Sequence, residues 1–262
     1  MAKDIDQAVR DVCLWLPESE EFVSHGSPNF RVKGGKIYAV YAVNTHGDGR
    51  VALWLKAPQG AQQELVRSAP KHFFVPPYVG PSGWVGVNLD QGLPWQRIAS
   101  LVREAYETVA PRKLLDKLGK TPKFDAQVQK LKSERVDPYL TPRAKQLLEG
   151  LRKIGRSLPE VSEDKQFGAP VWKAGKRSYA CLYQDYERAD RWVIAFWCGI
   201  PQQGLLTTDP RYRIPKYMGH QGWIALDVTK HADWDEVRAL ALQSYRHFAL
   251  KRMLAKLPPE DD

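Results

Sequence analysis

FFVPPYVGPSGWVGVNL, residues 73–89, returns without a gap as YRIPKYMGHQGWIALDV, residues 212–228. Pro76 falls on Pro215, Tyr78 on Tyr217, Gly80 on Gly219, Gly83 on Gly222 and Trp84 on Trp223, and further along Trp95 falls on Trp234, all at an offset of 139. Tryptophan is rare, and its recurrence with Gly and Pro at fixed spacing is not a product of composition. The chain is a duplicated domain.

The same offset runs on through Leu101 and Leu240, Tyr106 and Tyr245, Leu115 and Leu254. Upstream it drifts, as insertions in hairpin loops allow. There Trp54 is matched with Trp197, Pro58 with Pro201, Leu16-Pro17-Glu18 with Leu158-Pro159-Glu160, Gly26 with Gly168 and Pro28 with Pro170. The division expected is repeat 1 over residues 1–118, a basic connector over 119–142 and repeat 2 over 143–258. Two repeats in one chain make an intramolecular pseudo-dimer, and the sequence does not give the oligomeric state.

Each repeat opens on helical spacing. Ile5, Val9, Val12, Cys13 and Leu16 share one face, as do Leu147, Leu148, Leu151, Ile154 and Leu158. Thr141-Pro142 reads as an N-cap followed by proline at the first helical position. Alternating runs follow. Asn29 to Lys33 and Lys36 to Tyr41 flank Gly34-Gly35, and residues 171–173 and 176–183 flank Ala174-Gly175, each a hairpin signal. A third strand is predicted over Arg50 to Lys56 and Arg191 to Cys198, after loops at His46-Gly47-Asp48-Gly49 and Asp185 to Asp190. Short helices over Gln59 to Val66 and Gln202 to Leu206, strands over Trp84 to Leu89 and Trp223 to Val228, and long amphipathic helices over 94–109 and 233–250 complete the pattern. Asp233 with Glu236 three residues on reads as a capping box. The segment from Pro111 to Pro142, rich in Lys and Arg and broken by proline, reads as exposed, with a helical stretch over Asp125 to Lys132.

The 262 residues, 43% hydrophobic and 26% charged, are globular in composition. No apolar run reaches the roughly 18 residues of a membrane span, and MAKDIDQAVRDV is too polar for a signal peptide, so a cytoplasmic protein with no membrane partner is expected. Cys13, Cys181 and Cys198 form no CxxC spacing and read as buried free thiols. The formal net charge of +9 is the compositional outlier and favours a polyanionic partner.

The order LPE, G-x-P, Gly-Lys hairpin, Trp-containing strand, P-x-Y-x-G-x-x-G-W and Trp-led helix resembles the MmcQ/YjbR family, here in tandem and over nearly all of both halves. The resemblance implies an α+β fold in each copy, a curved antiparallel sheet packed on helices, likened to the double wing of certain DNA-binding domains. DNA binding is the activity it implies. Relatives often carry Trp-Gly where this chain has His25-Gly26 and Phe167-Gly168, and many are single domains.

A catalytic constellation is not evident, and the chain is read as a non-enzyme with no cofactor. The histidines do not repeat: His25 aligns with Phe167, His72 with Arg211, His220 with Pro81 and His247 with Thr108. HExxH, GxSxG and Walker loops are absent from the sequence. The glycines of YVGPSGW precede a strand instead of opening a helix, so they read as a tight turn. The repeated tryptophans read as core, with Trp192, beside Arg191 near a loop tip, as the exposed exception.

Basic hairpin tips carry the functional signal. Arg31, Lys33 and Lys36 surround one tip, Lys173, Lys176 and Arg177 its counterpart, and Arg50, Arg188 and Arg191 flank the second tips, where Asp185, Glu187 and Asp190 offset them. Such ribbons can lie along phosphates, with Lys and Arg displacing counterions, and contacts of this kind carry little sequence selectivity. The basic connector, with Lys120, Lys123, Lys130 and Lys132 among others, would add to them. Two alternatives stay open: a binder of an aromatic small molecule at Tyr78, Trp84, Tyr217 and Trp223 or at the seam between repeats, and a protein-interaction scaffold.

Overall fold

The computed structural model describes residues 3–124, 127–185, 188 and 190–258. The chain divides into two units, Met1–Asp137 and Pro138–Asp262. Unit 1 runs β1 (Lys3–Asp4), α1 (Ile5–Leu14), β2 (Ser19–Ser24), β3 (Ser27–Val32), β4 (Ile37–Val43), β5 (Val51–Lys56), α2 (Ala61–Ser68), β6 (Phe73–Phe74), β7 (Trp84–Asn88), α3 (Trp95–Glu107), α4 (Arg112–Leu115), β8 (Val128–Gln129) and α5 (Ser133–Val136). Unit 2 repeats the main elements as α6 (Pro142–Arg156), β9 (Val161–Gln166), β10 (Ala169–Ala174), β11 (Arg177–Gln184), β12 (Trp192–Trp197), α7 (Ile200–Leu206), β13 (Tyr212–Arg213), β14 (Trp223–Asp227), α8 (Trp234–Phe248) and α9 (Lys251–Leu254).

Both sheets have six antiparallel strands in one order, β2-β3-β4-β5-β7-β6 and β9-β10-β11-β12-β14-β13. The chain is thus α+β, two tandem copies of a curved sheet packed on helices. In β5 the residues alternate between two apolar clusters. Val51, Leu53 and Leu55 face the helices, whereas Ala52 and Trp54 join Phe74 on the opposite face, where Val79 and Trp84 also pack. Period-2 alternation cannot show this, because both faces are covered and the strand reads as continuously apolar.

The helices begin where capping chemistry places them. Thr141 Oγ1 accepts the Ala144 N–H at 3.3 Å, and the Asp233 carboxylate accepts the N–H groups of Asp235 and Glu236 at 3.0 and 3.3 Å. Glu236 does not close a capping box; its carboxylate receives Arg211 and the Tyr212 hydroxyl instead. The long helices are tied to the LPE turns by matching tyrosines. Tyr106 Oη donates to the Pro17 carbonyl at 2.6 Å and Tyr245 Oη to that of Pro159 at 2.7 Å. Each tyrosine meets a second one edge-on, Tyr38 or Tyr179, at 5.5 Å.

Four further expectations change. Trp54 does not match Trp197: β5 sets Lys56 opposite Trp84, and β12 sets Trp197 opposite Trp223. Lys56 is therefore the partner position of Trp197, and Pro58 that of Gly199. A slip of two residues leaves every side chain on its own face, so hydrophobic pattern does not detect it. Trp192 is buried, 5% exposed, with Tyr139 edge-on at 5.3 Å. The stretch after 119, expected to be exposed, lays Phe124, Val128, Leu131 and Val136 against the core of unit 1. Within it Val128–Gln129 pairs in parallel with Lys3–Asp4, a strand where a helix over 125–132 was predicted; Asp125 itself lies outside the described residues.

The three cysteines are buried and free. Burial pushes the Cys181 thiol up to about 12 and that of Cys198 up to about 11, so neither is a ready nucleophile. Among the described residues no helix is long and apolar enough to cross a membrane.

Candidate nucleic-acid interface

In an antiparallel meander successive turns alternate between the two ends of the sheet. The β3–β4 and β10–β11 tips therefore stand at the opposite end from the β4–β5 and β11–β12 loops. Arg31, Lys33 and Lys36 are not brought together with Arg50, nor Lys173, Lys176 and Arg177 with Arg188 and Arg191.

The first tips are built by glycine turns. Gly34 and Gly175 take φ of 66° and 62°, a region open to glycine without strain. In the turns, and at the first residue of β11, Lys33, Lys36, Lys176 and Arg177 are exposed and make no ion pair among the described residues. Arg31 and Lys173 behave differently. Arg31 sits opposite Glu20 in register, donates to it at 2.7 Å and lies over the Phe22 ring at 4.5 Å. That hydrogen bond holds the Glu20 carboxyl below its usual range. Lys173 pairs with Asp164, whose carboxyl it likewise holds low, and its side chain is only 21% exposed.

The second tips are occupied internally. Arg50 pairs with Asp48 at 3.4 Å and stacks over Phe74 at 4.3 Å. Arg188 pairs with Asp190 at 3.2 Å, and Arg191 with Asp227 at 3.2 Å and Asp185 at 3.6 Å; Glu187 lies outside the described residues. Asp185 also receives Arg213 at 2.5 Å. Cations held this way would have to exchange a fixed carboxylate for a phosphate, whereas the four at the first tips have no carboxylate at ion-pair distance among the described residues, Lys33 acting on Glu20 only through its field.

The Tyr-x-Gly-x-x-Gly-Trp corners are alike in detail. Tyr78 and Tyr217 take left-handed φ of 63° and 67° and stand 70% and 69% exposed. Trp84 is half-buried and Trp223 is buried, each packed on the outer face of its sheet. Gly80 and Gly219 are needed for close approach: an added Cβ would lie 2.4 Å from Val75 Cγ1 and 2.1 Å from Ile214 Cγ2. The cleft beside the first corner is lined by Lys56, Gln62 and Gly83, not by Tyr78 or Trp84.

Sequence reading missed the pair that fixes these corners. Gln62 Nε2 donates to the carbonyls of Gly80 and Trp84 at 2.7 and 2.6 Å, and Gln203 Nε2 to those of Gly219 and Trp223 at the same two distances. Both glutamines are buried. The signal was present, since Gln62 and Gln203 lie at an offset of 141, which the strand register gives and the proline match concealed. Gln203→Leu would leave the Gly219 carbonyl with the Gly222 N–H at 3.0 Å but take the side-chain donor from the Trp223 carbonyl, and for one buried unsatisfied group the expected loss in urea unfolding is about 1 to 3 kcal/mol. A loss under about 0.5 kcal/mol, the scale of a neutral surface change, would show that the corner holds without it.

The YjbR family model matches residues 14–108 and again 156–247. The crystal structure of the Deinococcus radiodurans protein DR2400, of domain family DUF419, is similar at 21% identity over 44% of this chain and 88% of that one, with a TM-score of 0.35. No curated protein matches.

Proposed function

The chain belongs to the YjbR family, once in each half, and we propose that it is a non-enzymatic protein that binds duplex DNA along its backbone. One observation carries this reading: equivalent hairpin ends of the two units present Lys33 with Lys36 and Lys176 with Arg177, exposed and outside any ion pair among the described residues. The net charge of +9 supports it, because a positive field draws a polyanion from a distance. Lys120, Lys123, Lys130 and Lys132, on the segment packed against unit 1, add non-specific attraction.

Lys and Arg at turn ends reach phosphates, which are the same in every sequence, so three duplexes of unrelated sequence should bind with affinities within a few-fold of one another. Fluorescence anisotropy at low salt measures this. A preference of tenfold or more, the scale of one base-edge contact, would mean that base reading is present. No binding to any duplex would remove DNA as the partner.

A further inference from the structure

Beside the first corner lies a cleft of about 400 Å³ lined by Lys56, Gln59, Gln63, Ser82, Gly83 and Thr108. The strand register and the repeat offset give the equivalent positions in unit 2, where Trp197 stands for Lys56, Gln221 for Ser82, Gly222 for Gly83 and His247 for Thr108. There the seat is filled from within. The Trp197 indole lies on the glycine backbone: a Cβ on Gly222 would be 3.0 Å from its Nε1, and one on Gly199 3.5 Å from its Cη2 and Cζ2. Its Nε1 donates to the Gln221 carbonyl at 3.0 Å, and the His247 ring stacks on it with centroids 3.4 Å apart and planes 10° apart.

Unit 1 keeps the frame of that seat without the rings. The Ala57 N–H bonds the Gly83 carbonyl at 3.2 Å, as the Cys198 N–H bonds that of Gly222 at 2.9 Å. A Cβ on Gly83 would meet only Lys56 Nζ, at 3.9 Å, and one on Gly60 would meet nothing within 4 Å. Lys56 Nζ donates to the Ser82 carbonyl, the acceptor equivalent to the one that Trp197 Nε1 uses.

We propose that this cleft binds a flat heteroaromatic ring carrying an N–H donor and an anionic group. The ring would lie on Gly83 with Thr108 above it, where the Trp197 indole lies on Gly222 under His247. Its N–H would take the Ser82 carbonyl. The Lys56 ammonium, released from that carbonyl, would need an anion in its place, and a charge-assisted pair of this kind is among the stronger hydrogen bonds. Indole carboxylates and nucleotides share this chemistry. The site does not depend on DNA binding, since it uses none of the hairpin-tip cations.

The test is a titration of the full chain, labelled with ¹⁵N, with indole-3-acetate and separately with guanosine monophosphate. Indole, acetate and inorganic phosphate serve as controls. At least one of the two probes should shift the amides of Gln63, Gly83 and Thr108 and leave Gly222 and His247 in place, and which probe does so separates the two sources. Removing the anionic group should weaken binding about tenfold, as loss of a charged hydrogen bond does. The double substitution K56W/T108H, which copies unit 2 into unit 1, should abolish the shifts, and W197K/H247T should open a second site with shifts at Gly222. Failure of both probes to move the unit 1 amides, or unchanged affinity in K56W/T108H, overturns the proposal. Should K56W/T108H not fold by circular dichroism, Lys56→Gln decides: its affinity for the effective probe must fall to that of the control lacking the anion, and no fall overturns the proposal.

Discussion

Trp223→Ala is expected to destabilise unit 2 by about 3 to 5 kcal/mol, the cost of emptying a buried tryptophan site. The indole is 7% exposed and packs with Val171, Cys181, Val193 and Ala195 on the outer face of the sheet. Phe248, from the end of α8, stacks on it with centroids 5.8 Å apart. Its removal therefore takes one stacking partner from a helix end, which keeps its packing on Trp197, as well as leaving a cavity. Trp84→Ala in unit 1 is expected to cost about half as much, because Trp84 is half-buried and packs beside a smaller cluster. Urea unfolding of each single variant, followed by near-ultraviolet circular dichroism, measures both. Equal losses would mean that the two corners are packed alike, and a near-native Trp223→Ala would mean that its ring is not a packing element.

The duplication was legible because Trp, Gly and Pro are scarce and geometrically demanding, so their recurrence at one offset survives divergence elsewhere. Register was less legible: Pro58 and Pro201 look equivalent in sequence, yet strand pairing shows Lys56 at the position of Trp197. The edge strands β2 and β9, SEEFVS and VSEDKQ, were not anticipated, since most of their residues are polar or charged and leave a weak apolar alternation. The same strands bear on the candidate site. Glu20 and Asp164 lie on those unseen strands, and they pair with Arg31 and Lys173. Residue type thus identified the basic tips, but only the neighbouring strand showed which cations are already engaged. The burial of the segment after 119 is hidden for a related reason: Phe124, Val128, Leu131 and Val136 are spread among lysines, and each finds its apolar partner in residues distant along the chain.

Replacing Lys33, Lys36, Lys176 and Arg177 together by Ala is expected to remove most of the affinity for duplex DNA at moderate salt while the fold stays intact. Each cation that meets a phosphate releases counterion, and at about 0.9 per contact four contacts contribute about −3.6 to the slope of log affinity against log salt. Exposed turn side chains of this kind change stability by under about 0.5 kcal/mol each, so circular dichroism and the urea midpoint should stay near those of the wild type. Adding Lys173→Ala to the set should have little further effect on DNA, because Lys173 is held by Asp164.

The deciding measurement is the anisotropy of one fluorescent duplex titrated with wild type and with the fourfold variant across a range of salt. Contact through the tips requires the wild-type slope to be steeper than the variant slope by about 3.6 units, with both proteins folded. Parallel lines for the two proteins would contradict it.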